Sequence, residues 1–101
     1  MHVIARPAIE RAKQQHPVCG NWLDNWWRTA GRAVWRSLHD VRGDYSSADQ
    51  VGGCLVFDAP GARRLICNVH YANDDRQGTL YVRDFLTHAE YDRETWKDDC
   101  C

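Results

Sequence analysis

The chain has 101 residues, which fits one domain and leaves no room for a second. Hydrophobic residues make up 44% and charged residues 27%, the balance of a folded chain rather than a disordered one. The formal net charge is −1, so composition alone offers none of the basic excess that drives phosphate binding. That charge is unevenly placed: residues 1–42 are basic on balance and residues 43–101 acidic. No apolar run approaches the roughly 18 residues of a membrane span. The opening Met1-His2-Val3-Ile4-Ala5 meets Arg6-Pro7 too soon to be a secretory leader. The protein is expected to be soluble and cytoplasmic, with no membrane association.

His2 to Ala5 reads as a short first strand. Pro7 suits the first turn of a helix, where its missing N–H costs nothing, and Ile9, Ala12 and His16 form one stripe. His16-Pro17 ends that helix, because a residue before proline avoids the α region. From Trp22/Leu23 through Trp26/Trp27, Ala30 and Ala33/Val34 to Leu38, apolar residues recur at helical spacing. A second helix is therefore expected to about residue 38, with Gly31 as its weak point. Residues 39–53 are polar and rich in turn formers, which predicts a surface loop with at most one helical turn.

Cys54 to Phe57 begins a strand, and Asp58-Ala59-Pro60-Gly61 is a turn signal. Arg64 to Tyr71 is a strand with Leu65, Cys67, Val69 and Tyr71 on one face and Arg64, Ile66, Asn68 and His70 on the other. Asn73 to Gly78 is a hairpin loop. Thr79 to Leu86 is the last strand, alternating Leu80/Val82/Asp84/Leu86 against Tyr81/Arg83/Phe85. Thr87-His88-Ala89-Glu90 is a capping box opening a terminal helical turn, and Trp96 is expected to pack back. The fold class is α+β in the order β-α-α-β-β-β. Two N-terminal helices cover one face of a mostly antiparallel sheet, and the other face is left free for function.

The cysteines, Cys19, Cys54, Cys67, Cys100 and Cys101, match no zinc spacing and call for no metal. Their odd number, without any sign of export, predicts reduced thiols, with Cys54 and Cys67 as small core residues. Residues 1–97 are expected to form the domain and 98–101 an unordered tail.

Two stretches carry a resemblance. Met1-His2-Val3-Ile4-Ala5-Arg6 is similar to the usual opening of HigB-family toxins, a branch of the RelE/ParE superfamily. Leu86-Thr87-His88-Ala89-Glu90-Tyr91-Asp92, followed by Trp96-Lys97, resembles the closing signature of that family. Trp26, Ala33-x-Trp35, Ala48-Asp49-x-Val51, Val56-Phe57, Arg64-Leu65-Ile66 and His70-Tyr71 fall between them in the family's order. The resemblance implies a RelE-like fold and the toxin of a type II toxin–antitoxin system. It further implies an mRNA endonuclease acting at the ribosome without metal or cofactor, and a HigA-like helix-turn-helix antitoxin as partner. The chain departs from its relatives in its near-neutral charge, in a turn at Asp58–Arg63 that is one residue short, and in a longer, acidic hairpin at Asp74-Asp75.

Metal-free RNA cleavage uses the ribose 2′-OH as nucleophile. It needs a proton acceptor, a proton donor for the leaving 5′ oxygen, and cations for the charge that builds on phosphorus. Arg64 and Arg83, on neighbouring strands, can place planar charged forks on phosphate oxygens, although a solvated arginine is the commoner fate of such residues. His88 is of the residue type that serves as acid or base and lies three residues from Tyr91 in a helical turn. These four are the expected catalytic set, with His70 and Arg63 as RNA contacts. The bland readings are a junction histidine and a packing tyrosine. The tryptophans at 22, 26, 27 and 35 suggest core for Trp26 and a partner contact for Trp27 or Trp35. Arg28, Arg32 and Arg36 would form a basic stripe on the second helix. Two other readings are a non-catalytic binding protein of this fold, such as a gyrase-type inhibitor, and an inactive relative that only binds antitoxin.

Overall fold

The computed structural model describes residues 1–4 and 6–100, so the expectations for Ala5 and Cys101 lie outside the described residues. The strands are β1 (His2–Ile4), β2 (Asp49–Val51), β3 (Cys54–Ala59), β4 (Arg63–His70) and β5 (Thr79–Leu86). The α-helices are α1 (Arg6–Gln15), α2 (Gly20–Arg32), α3 (Leu38–Asp44) and α4 (His88–Asp92), with 3₁₀ segments at Pro17–Cys19 and Thr95–Cys100. The five strands form one sheet in the order β1-β5-β4-β3-β2. Only the β1–β5 pair is parallel. This is the expected α+β architecture, consistent with a RelE-like fold.

The helical layer forms where the sequence is amphipathic. α1 buries Ile9 and Ala12, and α2 buries Leu23, Trp26 and Ala30, each at helical spacing. The sheet answers with Leu55, Phe57, Leu65, Cys67, Leu80 and Val82 in the same apolar cluster. Phe57 lies at its centre, edge-on to Trp26 (5.5 Å) and Tyr45 (5.3 Å) and tilted against Trp35 (6.0 Å).

The expected second helix divides in two. α2 stops at Arg32, one residue past Gly31, and Ala33 is extended. Ser37 then caps α3, its hydroxyl accepting from the Asp40 N–H. The expected loop over 39–53 therefore holds α3 and β2 instead. α3 buries only Val41, so it shows no periodic stripe in the sequence. Trp35, in the link, is buried rather than partly exposed, and its indole donates to Asp44 (2.9 Å). Trp27 is half-buried under the Arg6 guanidinium (4.7 Å). Arg36 lies beyond α2 and pairs with Asp74 (2.6 Å), so the basic stripe is broken.

A β-bulge corrects the expected alternation in β5. Ile66 faces Asp84 and Cys67 faces Val82, which leaves Arg83 as the extra residue. After the bulge Phe85 joins the helix-side core and Leu86 the opposite face, the reverse of strict period two. Arg83 and Asp84 thus both fall on the face away from α1 and α2.

That face is not free, contrary to expectation. The Thr95–Cys100 helix lies across its middle, and Trp96 and Cys100 form a second apolar cluster with Cys54, Val56 and Ile66. A disulfide joins Cys54 to Cys100, which corrects the expectation of reduced thiols for that pair. The Gly53 N–H donates to the Cys100 carbonyl (2.6 Å), and Asn68 Nδ2 to that of Asp99 (3.2 Å). Residues 98–100 are therefore packed structure rather than an unordered tail. The chain reverses at Glu94 (φ +62°), which sends the apolar Trp96 back onto the sheet. Gly52 permits the approach: its φ is +55°, and a Cβ there would lie 2.3 Å from the Cys100 oxygen. Cys19 and Cys67 are free and buried. Burial pushes the Cys67 thiol far above its ordinary pKa and leaves it unreactive. Among the described residues no helix is long and apolar enough to cross a membrane.

Candidate functional site

β4, β5 and α4 carry the candidate side chains. α4 is set by its capping box: Thr87 Oγ1 accepts from the Glu90 N–H (3.3 Å) and Glu90 Oε1 from the Thr87 N–H (3.0 Å). This fixes the helix against the end of β5. Tyr91 then projects onto the covered face, its ring stacked on Trp96 (5.0 Å, 17°). The Trp96 indole donates to the Tyr91 carbonyl (2.9 Å).

Arg64 meets that stack. Its guanidinium lies over the Tyr91 ring (5.3 Å) and its Nε is 2.9 Å from Asp58 Oδ1. A guanidinium above a phenol ring is a favourable quadrupole contact, and the Asp58 carboxylate fixes the fork's orientation. The structure thus brings Arg64 and Tyr91 together, from β4 and α4.

Arg83 is held separately. Its Nε donates to Asn68 Oδ1, and Asn68 reaches across to the 3₁₀ helix through Asp99. An open cleft of about 650 Å³ runs here, lined by Asn68, His70, Tyr81, Arg83, Asp99 and Gly53. His70 meets Tyr81 edge-on (6.1 Å, 85°). Arg83 and His70 therefore share a cleft.

His88 sits at the exposed start of α4. Its Nε2 is 3.0 Å from Asp92 Oδ2, one turn on, and both side chains are more than half exposed. In the neutral ring that pairing leaves Nδ1 to accept a proton. His88 and Tyr91 belong to one helical turn but pair differently, His88 with solvent-facing Asp92 and Tyr91 with Arg64 and Trp96. Arg63 points the other way. Its guanidinium bonds His16 Nδ1 (3.1 Å), the Cys19 sulfur and the Pro60 carbonyl (3.2 Å) at the end of the helical layer.

A family model described as HigB toxin, the RelE-like toxic component of a toxin–antitoxin system, matches residues 19–94. The chain belongs to the HigB toxin family. No curated protein matched it. As a HigB-family member it is the toxin of a toxin–antitoxin system, and an antitoxin is its implied partner. The match spans α2 through α4, and so includes Arg64, Arg83, His88 and Tyr91, together with their partners Asp58, Asn68 and Asp92. Those three partners were not singled out from the sequence. Strand register and helix rotation place them, and neither is legible in one sequence; only the i,i+4 spacing of His88 and Asp92 was a usable signal.

The electrostatics around this HigB-family site are mixed. Asp84, partly buried beside Arg83, has its pKa raised, chiefly by burial and then by the Asp99 and Glu90 carboxylates, with Arg83 opposing. Glu90 is lowered by the hydrogen bonds from Thr87. For Asp84 the folded value exceeds the unfolded one. Its contribution to stability is thus fully present below the ordinary carboxylate range and is lost as pH rises through the folded value. Asp84→Asn is expected to raise the melting temperature at pH 7 and to match the parent near pH 3. Equal melting temperatures at both pH values would show that the carboxylate is not penalised.

Proposed function

We propose that this toxin is a metal-independent endoribonuclease that cuts mRNA, acting in the cytoplasm at the ribosome and neutralised by a HigA-like helix-turn-helix antitoxin. The observation that carries the reading is the Arg64–Tyr91 contact, which sets an always-charged fork against a phenol on the face opposite the helices. Arg64 would stabilise the charge building on the scissile phosphate, with Arg83 contributing from the neighbouring cleft. The His88–Asp92 pair is a ready proton acceptor for the 2′-OH. Tyr91 would give its phenol proton to the leaving 5′ oxygen. The product ends would be a 2′,3′-cyclic phosphate and a 5′-OH. His70 remains an RNA contact at the cleft. Arg63, committed to His16 and Pro60, is left outside the site.

The test maps 5′ ends of cellular mRNA after brief induction. New ends are expected with the parent, and a fall of roughly 10²-fold with Arg83→Ala and with Tyr91→Phe. A second reading, a non-catalytic binder of the same fold, is favoured by one observation: Asp58 already occupies the Arg64 fork. Growth arrest with unchanged mRNA ends would favour that reading. Loss of arrest in the parent would leave only a protein that binds antitoxin.

A further inference from the structure

Among the described residues Val18, Val34 and Tyr81 are large apolar or aromatic residues that stand exposed, and of these Tyr81 lines the cleft that Arg83 shares. Tyr81 lies two residues before Arg83 on β5. It faces Asn68 in register, and Asn68 accepts the Arg83 hydrogen bond. Both side chains therefore rise from the same face and line one cleft. Tyr81 is 40% exposed, and its ring stands at 85° to that of His70, with centroids 6.1 Å apart. An exposed aromatic ring beside a cation in an open cleft is what a nucleobase stacks on.

We infer that Tyr81 is a base-stacking platform for single-stranded RNA, holding the base of the nucleotide whose phosphate meets Arg83. His70 is then a positioning residue that fixes the ring rather than a direct catalytic group. This deepens the endoribonuclease reading and rests on it. The cleft offers Arg83 as its cation, a phenol face as its apolar surface and the Asn68 amide as a polar group, which together suit a flexible polyanion carrying flat rings. A stacking contact is tolerant of base identity. The platform should therefore add affinity for any single strand and little for a backbone without bases.

The experiment measures binding of the full chain to a fluorescein-labelled, fully 2′-O-methylated RNA octamer, which cannot be cleaved, by fluorescence anisotropy. An abasic strand of the same length serves as comparison. Tyr81→Phe is expected to bind the octamer within about twofold of the parent. Tyr81→Ala and Tyr81→Leu are expected to bind it at least about fivefold more weakly. All four proteins should bind the abasic strand alike. Because Tyr81 is exposed, the variants should keep the parent's circular dichroism, and the leucine variant keeps apolar bulk should alanine disturb the strand. If both Tyr81→Ala and Tyr81→Leu bind as the parent does while Arg83→Ala weakens binding, the platform is refuted and the RNA reading stands. If the parent binds neither strand, the platform is refuted, and the endoribonuclease reading at the ribosome stands or falls on the mRNA ends.

Discussion

Phe57→Ala is expected to lower the free energy of unfolding by about 3–5 kcal/mol, a large part of the ~5–15 kcal/mol that holds a typical domain together. Phe57 is fully buried, and its ring is the shared neighbour of Trp26, Tyr45 and Trp35. Removing it deletes three aromatic contacts at once, each worth about 0.5–1.5 kcal/mol beyond burial. It also opens a void that rigid indoles cannot fill. Within this cluster the Trp26 indole N–H is buried with no partner among the described residues, a cost of about 1–3 kcal/mol already carried by packing. Phe57→Leu, which keeps most of the apolar volume, should lose less. Urea titration followed by tryptophan fluorescence checks both, and an alanine variant within 1 kcal/mol of the parent would refute the cluster's central role.

Opening the Cys54–Cys100 bond should be nearly as costly. The bond closes a loop with a sequence separation of 46, for which the chain-entropy argument gives about 4 kcal/mol. The expected result is a lower melting temperature for the parent in a dithiol reductant and for Cys100→Ser without one, with no further fall when reductant is added to that variant. Tryptophan emission should shift to the red, because Trp96 depends on the same helix for its cover. The consequence reaches the candidate site, since Tyr91 stacks on Trp96 and Arg64 lies over Tyr91. A parent melting temperature indifferent to reductant would mean that the packing of Trp96, and not the covalent link, secures this segment.

Most of the scaffold is legible where burial imposes a period. The stripes of α1 and α2, the hairpin strands and the Thr87/Glu90 box all carry local signals that the packed chain keeps. What escapes is set at a distance. The division of α2 from α3 turns on Trp35, whose burial is decided by Met1, Tyr45 and Asp44 rather than by its neighbours in sequence. The bulge at Arg83 is a property of pairing with β4, so alternation alone puts Phe85 and Leu86 on the wrong sides. The disulfide is invisible because Cys100 meets Cys54 only after the reversal at Glu94. The candidate residues were legible as types, two arginines, a histidine and a tyrosine. Their grouping was not: Arg64 goes with Tyr91, Arg83 with His70 and Tyr81, and His88 with Asp92.

The parallel ladder between β1 and β5 also has a bearing on how the chain is made. Val3 lies beside Leu80, so during synthesis β1 must wait until β5 has been made before its backbone finds a mate. β3, β4 and β5, by contrast, follow one another closely and can zip as hairpins with little loop-closure cost. Nascent chains that stop short of Thr79 would therefore present α1 and α2 with an unfinished sheet, and their tryptophans would face solvent or a chaperone until the final strand arrives.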